Sequence, residues 1–300
     1  MGEFEFAQAC AQSLLCEKPR PDDRQACGSC RACSWFSQGN HPDFRLIVPE
    51  SMAPEPREEG VEPAKKKSEQ IRIEQVRELG DFLAVGTHRA GLRVILVYPA
   101  EAMNANTQNA LLKNLEEPPP ATVFLLVTTQ PGRLLATVRS RCLRFALPFP
   151  PSEPVVRWLK EQGLKQPEAT LAGAGGAPLA ALKAAGTDAD RLLFIETLGN
   201  PGFDPIALAE TVVRVPLWDL VGWLQRWTYD LLLARVAGRV RYSPTHERVI
   251  SDTARHCQAA DIAAYLRRLA QARALARHPL NAKLFVEDLL LQYQRLVARP

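Results

Sequence analysis

Two short runs of uninterrupted apolar residues constrain this chain most: Val94 to Val97 and Val123 to Val127, within the strand-like segments Leu92 to Val97 and Ala121 to Thr128. Neither run alternates with polar residues, so both faces of each strand must be covered. Between them lies a helix. Asn104 is its N-cap, and Ala110, Leu111, Leu112 and Leu115 supply the apolar positions. Pro118, Pro119 and Pro120 stop it, because an interior proline costs a helix about 3 kcal/mol. Arg45 to Val48 reads as a strand after His41-Pro42-Asp43, Ile73 to Ala84 and Leu134 to Val138 as helices, and Leu143 to Leu147 as a further strand. Such alternation predicts a parallel sheet with helices on both faces, an α/β domain. Residues 50–69, rich in Pro, Glu and Lys, read as a surface loop.

Pro148, Pro150, Pro151 and Pro154 mark a break, and no strand is expected beyond it. Val155 to Leu164 and Leu179 to Ala185 read as helices around the glycine-rich stretch Ala172 to Ala177. From about 190 onward, helical stripes recur at Leu220, Leu224, Trp227 and Leu231, at Ile262, Tyr265, Leu266 and Leu269, and at Phe285, Leu289, Tyr293 and Leu296. These aromatic residues fit bundle cores better than a binding platform, since periodicity alone accounts for them.

The composition of the 300 residues, 46% apolar and 23% charged, suits a soluble protein of two or three domains. It excludes wholesale disorder and collagen-like or coiled-coil fibre. No apolar run approaches the roughly 18 residues of a membrane span. Residues 1–8 carry Glu3 and Glu5 and no basic side chain, unlike a secretory or mitochondrial presequence. A cytoplasmic location is therefore expected, with the seven cysteines reduced or metal-bound. Residues 1–190 hold 22 Lys and Arg against 23 Asp and Glu, and residues 191–300 hold 15 against 10. That mild basic excess permits a polyanionic or acidic partner without requiring one.

The sharpest local pattern is Cys16, Cys27, Cys30 and Cys33, spaced C-x10-C-x2-C-x2-C with Gly28 in the first short gap. A tight loop can bring these sulfurs onto one centre. Four thiolates without an open position suit structural zinc, worth about 10–16 kcal/mol at neutral pH. A CxxC redox pair, an iron–sulfur cluster and free thiols are the competing readings. Cys10 and Cys257 read as packing residues.

The order Asn109-Ala110-Leu111-Leu112-Lys113-Asn114-Leu115-Glu116-Glu117-Pro118-Pro119, then Thr128-Thr129, then Ser140-Arg141-Cys142, resembles the clamp-loader branch of the AAA+ ATPases in its bacterial DNA polymerase III form. The resemblance is strong over residues 16–147. It continues weakly to the end, through Leu280 to Leu284 and Glu287 to Leu291. It implies an AAA+ (RecA-like) domain over 1–147 with a zinc module at 16–33 inserted in it, a helical lid over 148–190 and an all-α collar over 191–300. It also implies a glycine loop and first strand before Met1, so a start further upstream is expected.

The family's hydrolytic groups are missing at their expected positions. No GxxxxGK[ST] occurs anywhere. Gly2-Glu3-Phe4 falls where the family has Gly-Lys-Thr, Tyr98-Pro99 replaces the Mg²⁺-binding acidic pair, and Glu101 is out of register. The lid arginine corresponds to Leu179. What the resemblance retains is Arg141, between Ser140 and Cys142, as an arginine finger acting on a neighbour's ATP. Arg139 and Arg144 read as ordinary surface charges. Thr128 and Thr129 correspond to a nucleotide-sensing position, here reduced to capping a strand end. Glu116 and Glu117 stand at the unfavourable end of a helix dipole, where a cation across a subunit interface, or water, would relieve them.

The expected role is a non-hydrolysing subunit of a DNA-directed DNA polymerase holoenzyme, a nucleotidyltransferase complex. Its partners would be a gamma- or tau-like ATPase and a delta-like subunit, and through the complex the sliding clamp and primed DNA; no membrane is involved. Two other readings stay open: an active gamma-like ATPase, and a zinc-dependent nucleic-acid binder acting alone, for which 16–33 offer only Lys18, Arg20, Arg24 and Arg31.

Overall fold

The computed structural model describes residues 2–53, 68–87, 91–200, 202–276 and 280–298. Most of the segment read as a surface loop, 54–67, lies outside the described residues. The chain divides into two compact units, 2–148 and 149–300.

The first unit runs α1 (Glu3–Leu15), α2 (Arg31–Ser37), β1 (Phe44–Ile47), α3 (Ile73–Arg77), α4 (Leu79–Ala84), β2 (Arg93–Val97), α5 (Ala105–Glu116), β3 (Thr122–Leu126) and α6 (Ala136–Arg139). The strands form a parallel sheet in the order β1-β2-β3. Phe44 pairs with Val94 across one side of β2, and Val94 with Val123 across the other. All five residues of β2 are buried: Val94 to Val97, as continuous apolar sequence requires of a central strand, and Arg93 ahead of them. Ile95 and Val97 point into a core with Ile47, Val76, Leu79 and Leu111 from β1, α3, α4 and α5. Val94 and Leu96, one residue out of phase, point the opposite way, and α1 packs on β2. The buried positions of α1 are Ala7 and Ala11, one turn apart, so that its backbone comes close to the sheet.

One sequence-based expectation fails. Leu143 to Leu147 form no strand. The backbone N–H groups of this segment make no hydrogen bond among the described residues. Leu143 is 97% and Phe145 75% exposed. The segment pairs with none of the three strands, so its apolar side chains gain no sheet to cover them. Phe145 instead stacks on Phe6 of α1, with ring centroids 6.4 Å apart.

Helices are the regular elements of the second unit among its described residues: α7 (Ser152–Glu161), α8 (Pro167–Gly173), α9 (Pro178–Ala184), α10 (Asp188–Leu198), α11 (Pro205–Thr211), α12 (Leu217–Ala237), α13 (Glu247–His256), α14 (Ala259–Leu275) and α15 (Ala282–Val297). Helix α8 was not foreseen: it lies just ahead of the glycine-rich stretch Ala172 to Ala177 and runs into its first two residues, and Pro167 at its first position supplies a start signal. Val155, Leu159, Leu171 and Ala181 make a small core among α7, α8 and α9. The larger core gathers the stripe Leu220, Leu224, Trp227 and Leu231 of α12 with Ile262, Tyr265 and Leu269 of α14 and Leu289 and Tyr293 of α15. Cys257 belongs to it, as expected, whereas Cys10 is only half-buried. No described helix is long and apolar enough to cross a membrane.

Polar groups inside this bundle are matched. Trp227 Nε1–H donates to Tyr293 Oη at 2.6 Å. Asp230 is fully buried, and its carboxylate accepts the backbone N–H groups of Arg241, Tyr242 and Ser243 at 2.8–3.0 Å. Burial pushes its pKa up against the pull of those donors. The carboxylate thus closes the turn after α12. Asp230→Ala leaves three donors without an acceptor and should destabilise the second unit by about 2–4 kcal/mol in urea denaturation.

Candidate functional site

The four cysteines converge on one point of the first unit. Cys16 is the C-cap of α1, Cys30 the N-cap of α2, and Cys33 lies in the first turn of α2. The chain between them turns at Gly28, whose φ of +73° suits glycine. All four Sγ atoms lie within 4.8 Å of one another, and those of Cys16 and Cys30 are 3.9 Å apart. A tetrahedron of sulfurs about 2.3 Å from a zinc ion has edges of about 3.8 Å. The donor set therefore fits a four-coordinate thiophilic ion, with no position left for a substrate.

Backbone amides are aimed at the sulfurs. The N–H of Cys27 points at Cys16 Sγ, that of Cys30 at Cys27 Sγ, both at 3.3 Å, and that of Cys33 at Cys30 Sγ at 3.4 Å. The backbone N–H and hydroxyl of Ser29, with the N–H of Cys30, pull the Cys27 thiol down to about 6. Burial pushes the Cys33 thiol up. Amides that stabilise thiolates suit metal ligands better than inert packing thiols.

A second group of residues lies at the carboxyl ends of β2 and β3. Tyr98 follows β2 directly, and its ring stacks on Phe4 of α1 at 4.6 Å. Glu101 Oε1 accepts the backbone N–H of Thr129 at 3.2 Å and its hydroxyl at 2.9 Å. Burial pushes the Glu101 pKa up, but the hydrogen bonds from Thr128 and Thr129 outweigh it and hold the group low, as a carboxylate. Its other oxygen, Oε2, is buried without a hydrogen bond. The region thus presents stacked aromatic rings and an anion. Thr128 also accepts the N–H of Gln130 at 3.0 Å, so both threonines shape the end of β3. Sequence spacing placed Glu101 out of register and gave it no role; its hold on Thr129 was not foreseen.

Arg141 follows α6 and is bound within its own chain. Its Nη1 donates to the carbonyl of Thr137 at 2.9 Å, and its Nη2 is 2.5 Å from Glu116 Oε1. The guanidinium remains about one-third exposed, at 35%. Ser140 caps α6 and donates to the same carbonyl at 3.1 Å. Cys142 is half-buried, and burial raises its thiol pKa. The cation expected to relieve Glu116 at the end of α5 is therefore Arg141 of the same chain. Leu179 lies partly buried in α9.

Gln108 was also missed. It is buried on α5, donates to the carbonyl of Met103 at 2.9 Å and accepts the N–H of Leu135 at 2.7 Å. One side chain thereby fastens the segment leading to Arg141 onto α5. Its position between Thr107 and Asn109 carries no pattern that would single it out.

The sequence profile of the family described as DNA polymerase III, delta subunit matches residues 1–151. The DNA polymerase III subunit delta' of Pseudomonas aeruginosa is 37% identical over 256 residues, 82% of this chain and 70% of that protein. The subunit delta' of Escherichia coli strain K12 is 35% identical over 61% of this chain, and that of Bacillus subtilis strain 168 is 34% identical over 51%. The chain spans 50% and 40% of the lengths of those two relatives. A matched profile over half the chain and a relative of this closeness, on a parallel α/β unit with a four-cysteine cluster, place the protein in the delta-prime family of DNA polymerase III clamp-loader subunits.

Proposed function

We propose that the chain is a non-hydrolysing clamp-loader subunit that lends Arg141 to a neighbouring gamma- or tau-like ATPase. It would work with a delta-like subunit to place a sliding clamp on primed DNA. The observation that carries this reading is the pair of stacked rings, Phe4 on Tyr98, beside the Glu101 carboxylate at the end of β2. Nucleotide triphosphate needs backbone amides, a lysine and a Mg²⁺ ligand there. Aromatic faces offer none of these, and the Glu101 carboxylate is taken up by Thr129. The isolated chain should accordingly turn over no ATP; steady turnover abolished by changing Glu101 would favour an active gamma-like ATPase.

Arg141 suits action in trans because it is exposed at the end of a short helix that Gln108 fixes to α5. Guanidinium at a transferring phosphoryl group neutralises charge that develops in the transition state, an effect of about 10³–10⁵ in rate. To reach a neighbour, the side chain must leave Glu116 and the Thr137 carbonyl. Residues 148–190 and 191–300 would serve as lid and collar, the latter holding the ring together. Arg141→Ala should slow hydrolysis at the adjoining site of the assembled complex by about 10³-fold. Stability should change by less than about 1 kcal/mol, as for an exposed ion pair. An assembly hydrolysing ATP at the parental rate with the alanine variant would remove the finger assignment.

Cys16, Cys27, Cys30 and Cys33 would hold one Zn²⁺, which supplies a closed structural cross-link and no reaction chemistry. Between Cys16 and Cys33, only Ala32 and Cys33 are buried, so little apolar packing secures this loop. Cys30→Ser should lose the bound zinc and loosen residues 16–33, read as faster amide exchange confined to that stretch. Full protection in a zinc-free sample would exclude a structural metal.

A further inference from the structure

The turn after α12 presents a surface that the proposed function does not use. Residues 235–248 hold Arg235, Arg239, Arg241 and Arg248 against Glu247 alone. Val240 packs against the core of the bundle, so Arg239 and Arg241 on either side of it turn outward, and both are exposed. Neither guanidinium makes a hydrogen bond or ion pair with a described residue. Asp230 does not neutralise them. It is fully buried and taken up by the backbone N–H groups of Arg241, Tyr242 and Ser243.

Two tyrosines lie beside these charges. The Arg241 guanidinium sits 5.4 Å from the centre of the Tyr242 ring. Tyr242 in turn meets Tyr229 of α12 edge to face, with ring centroids 5.7 Å apart and planes 74° apart. Tyr229 is 38% exposed, so part of its ring stays open to solvent. The arrangement is pinned in place. The amides bound to Asp230 fix the backbone under Arg241 and Tyr242. Tyr242 also lies against Gly175, in the turn between α8 and α9, where a methyl group would come within 3.3 Å of its Cε1.

Unpaired, exposed arginines next to an open aromatic ring match a ligand that carries repeated anions and flat apolar faces. An acidic peptide would use the arginines and leave the ring idle. A duplex hides its base faces in the stack and would use only the charges. A single strand uses both, with phosphates on the arginines and a base on the ring, a contact tolerant of sequence. We propose that Arg239, Arg241, Tyr242 and Tyr229 form a binding platform for single-stranded nucleic acid, with Tyr229 as the stacking surface and Tyr242 as its support. The platform lies in the second unit and does not depend on Arg141.

The test measures binding of the full chain to a labelled oligothymidylate at low salt by fluorescence anisotropy. Tyr229→Ala should weaken binding at least about fivefold, the loss of one stacked base, while Tyr229→Phe keeps the parental affinity. Arg239→Gln combined with Arg241→Gln should weaken binding and reduce the slope of log K against log salt by about 0.7 for each arginine removed. These variants should keep the parent's thermal midpoint, because the altered side chains are exposed. Competition by oligouridylate separates RNA from DNA as the source of the strand. A parent chain that binds no single strand overturns the proposal. So do variants that bind as tightly as the parent, which would place the contact elsewhere in the chain. A duplex of the same length that competes as strongly overturns it too, as does displacement by polyglutamate, which would mark the surface as a site for an acidic protein segment.

Discussion

The burial of β2 on both faces is the constraint from which the first unit follows. A strand with five consecutive covered residues needs a strand at each edge and a helix layer above and below. β1 and β3 satisfy its backbone, while α1 on one face and α3, α4 and α5 on the other satisfy its side chains. The same strand delivers Tyr98 and Glu101 to its carboxyl end, and the helix after it delivers Glu116. Displacing β2 would therefore disturb the aromatic stack, the threonine contact and the anchor of Arg141 together.

Charge handling separates the parts of this protein. Where a charged or ionisable group is withdrawn from water, backbone amides usually compensate it: three hold Asp230, and others point at the cysteine sulfurs. Amides cost no side-chain entropy, so this compensation is rigid. Arg93 is compensated in the opposite sense. It is buried on the central strand, donates to the carbonyls of Leu83 and Val85, and lies 4.7 Å over the ring of Phe82. Arg141 is held more loosely, by one carbonyl and one exposed carboxylate, which suits a side chain that must change partners.

Much of this organisation could be read from residue order. Continuous apolar runs specify buried parallel strands, and the Asn104 cap with the proline run bounds α5 almost to the residue. The cysteine spacing determines which four sulfurs meet, because a two-residue gap with glycine leaves little freedom. The strand expected at Leu143 to Leu147 was misread for an instructive reason. Apolar alternation states that a segment could pair, but which edge it meets is set by tertiary packing that the local pattern does not contain. Gln108, Glu101 and the pairing of Arg141 with Glu116 were hidden for another reason. Each depends on elements separated by about 25 residues or more, whose approach is set by tertiary packing.

That unmet alternation has a practical side. The outer border of β3 has no strand beside it among the described residues, and Leu143, Phe145 and Phe149 stand open to water in the same unit or at its boundary. Bare amides and carbonyls along such a border recruit whatever extended chain arrives first. An uncovered border of this kind is an aggregation liability, and self-association at high concentration is the behaviour to control for when the protein is handled alone.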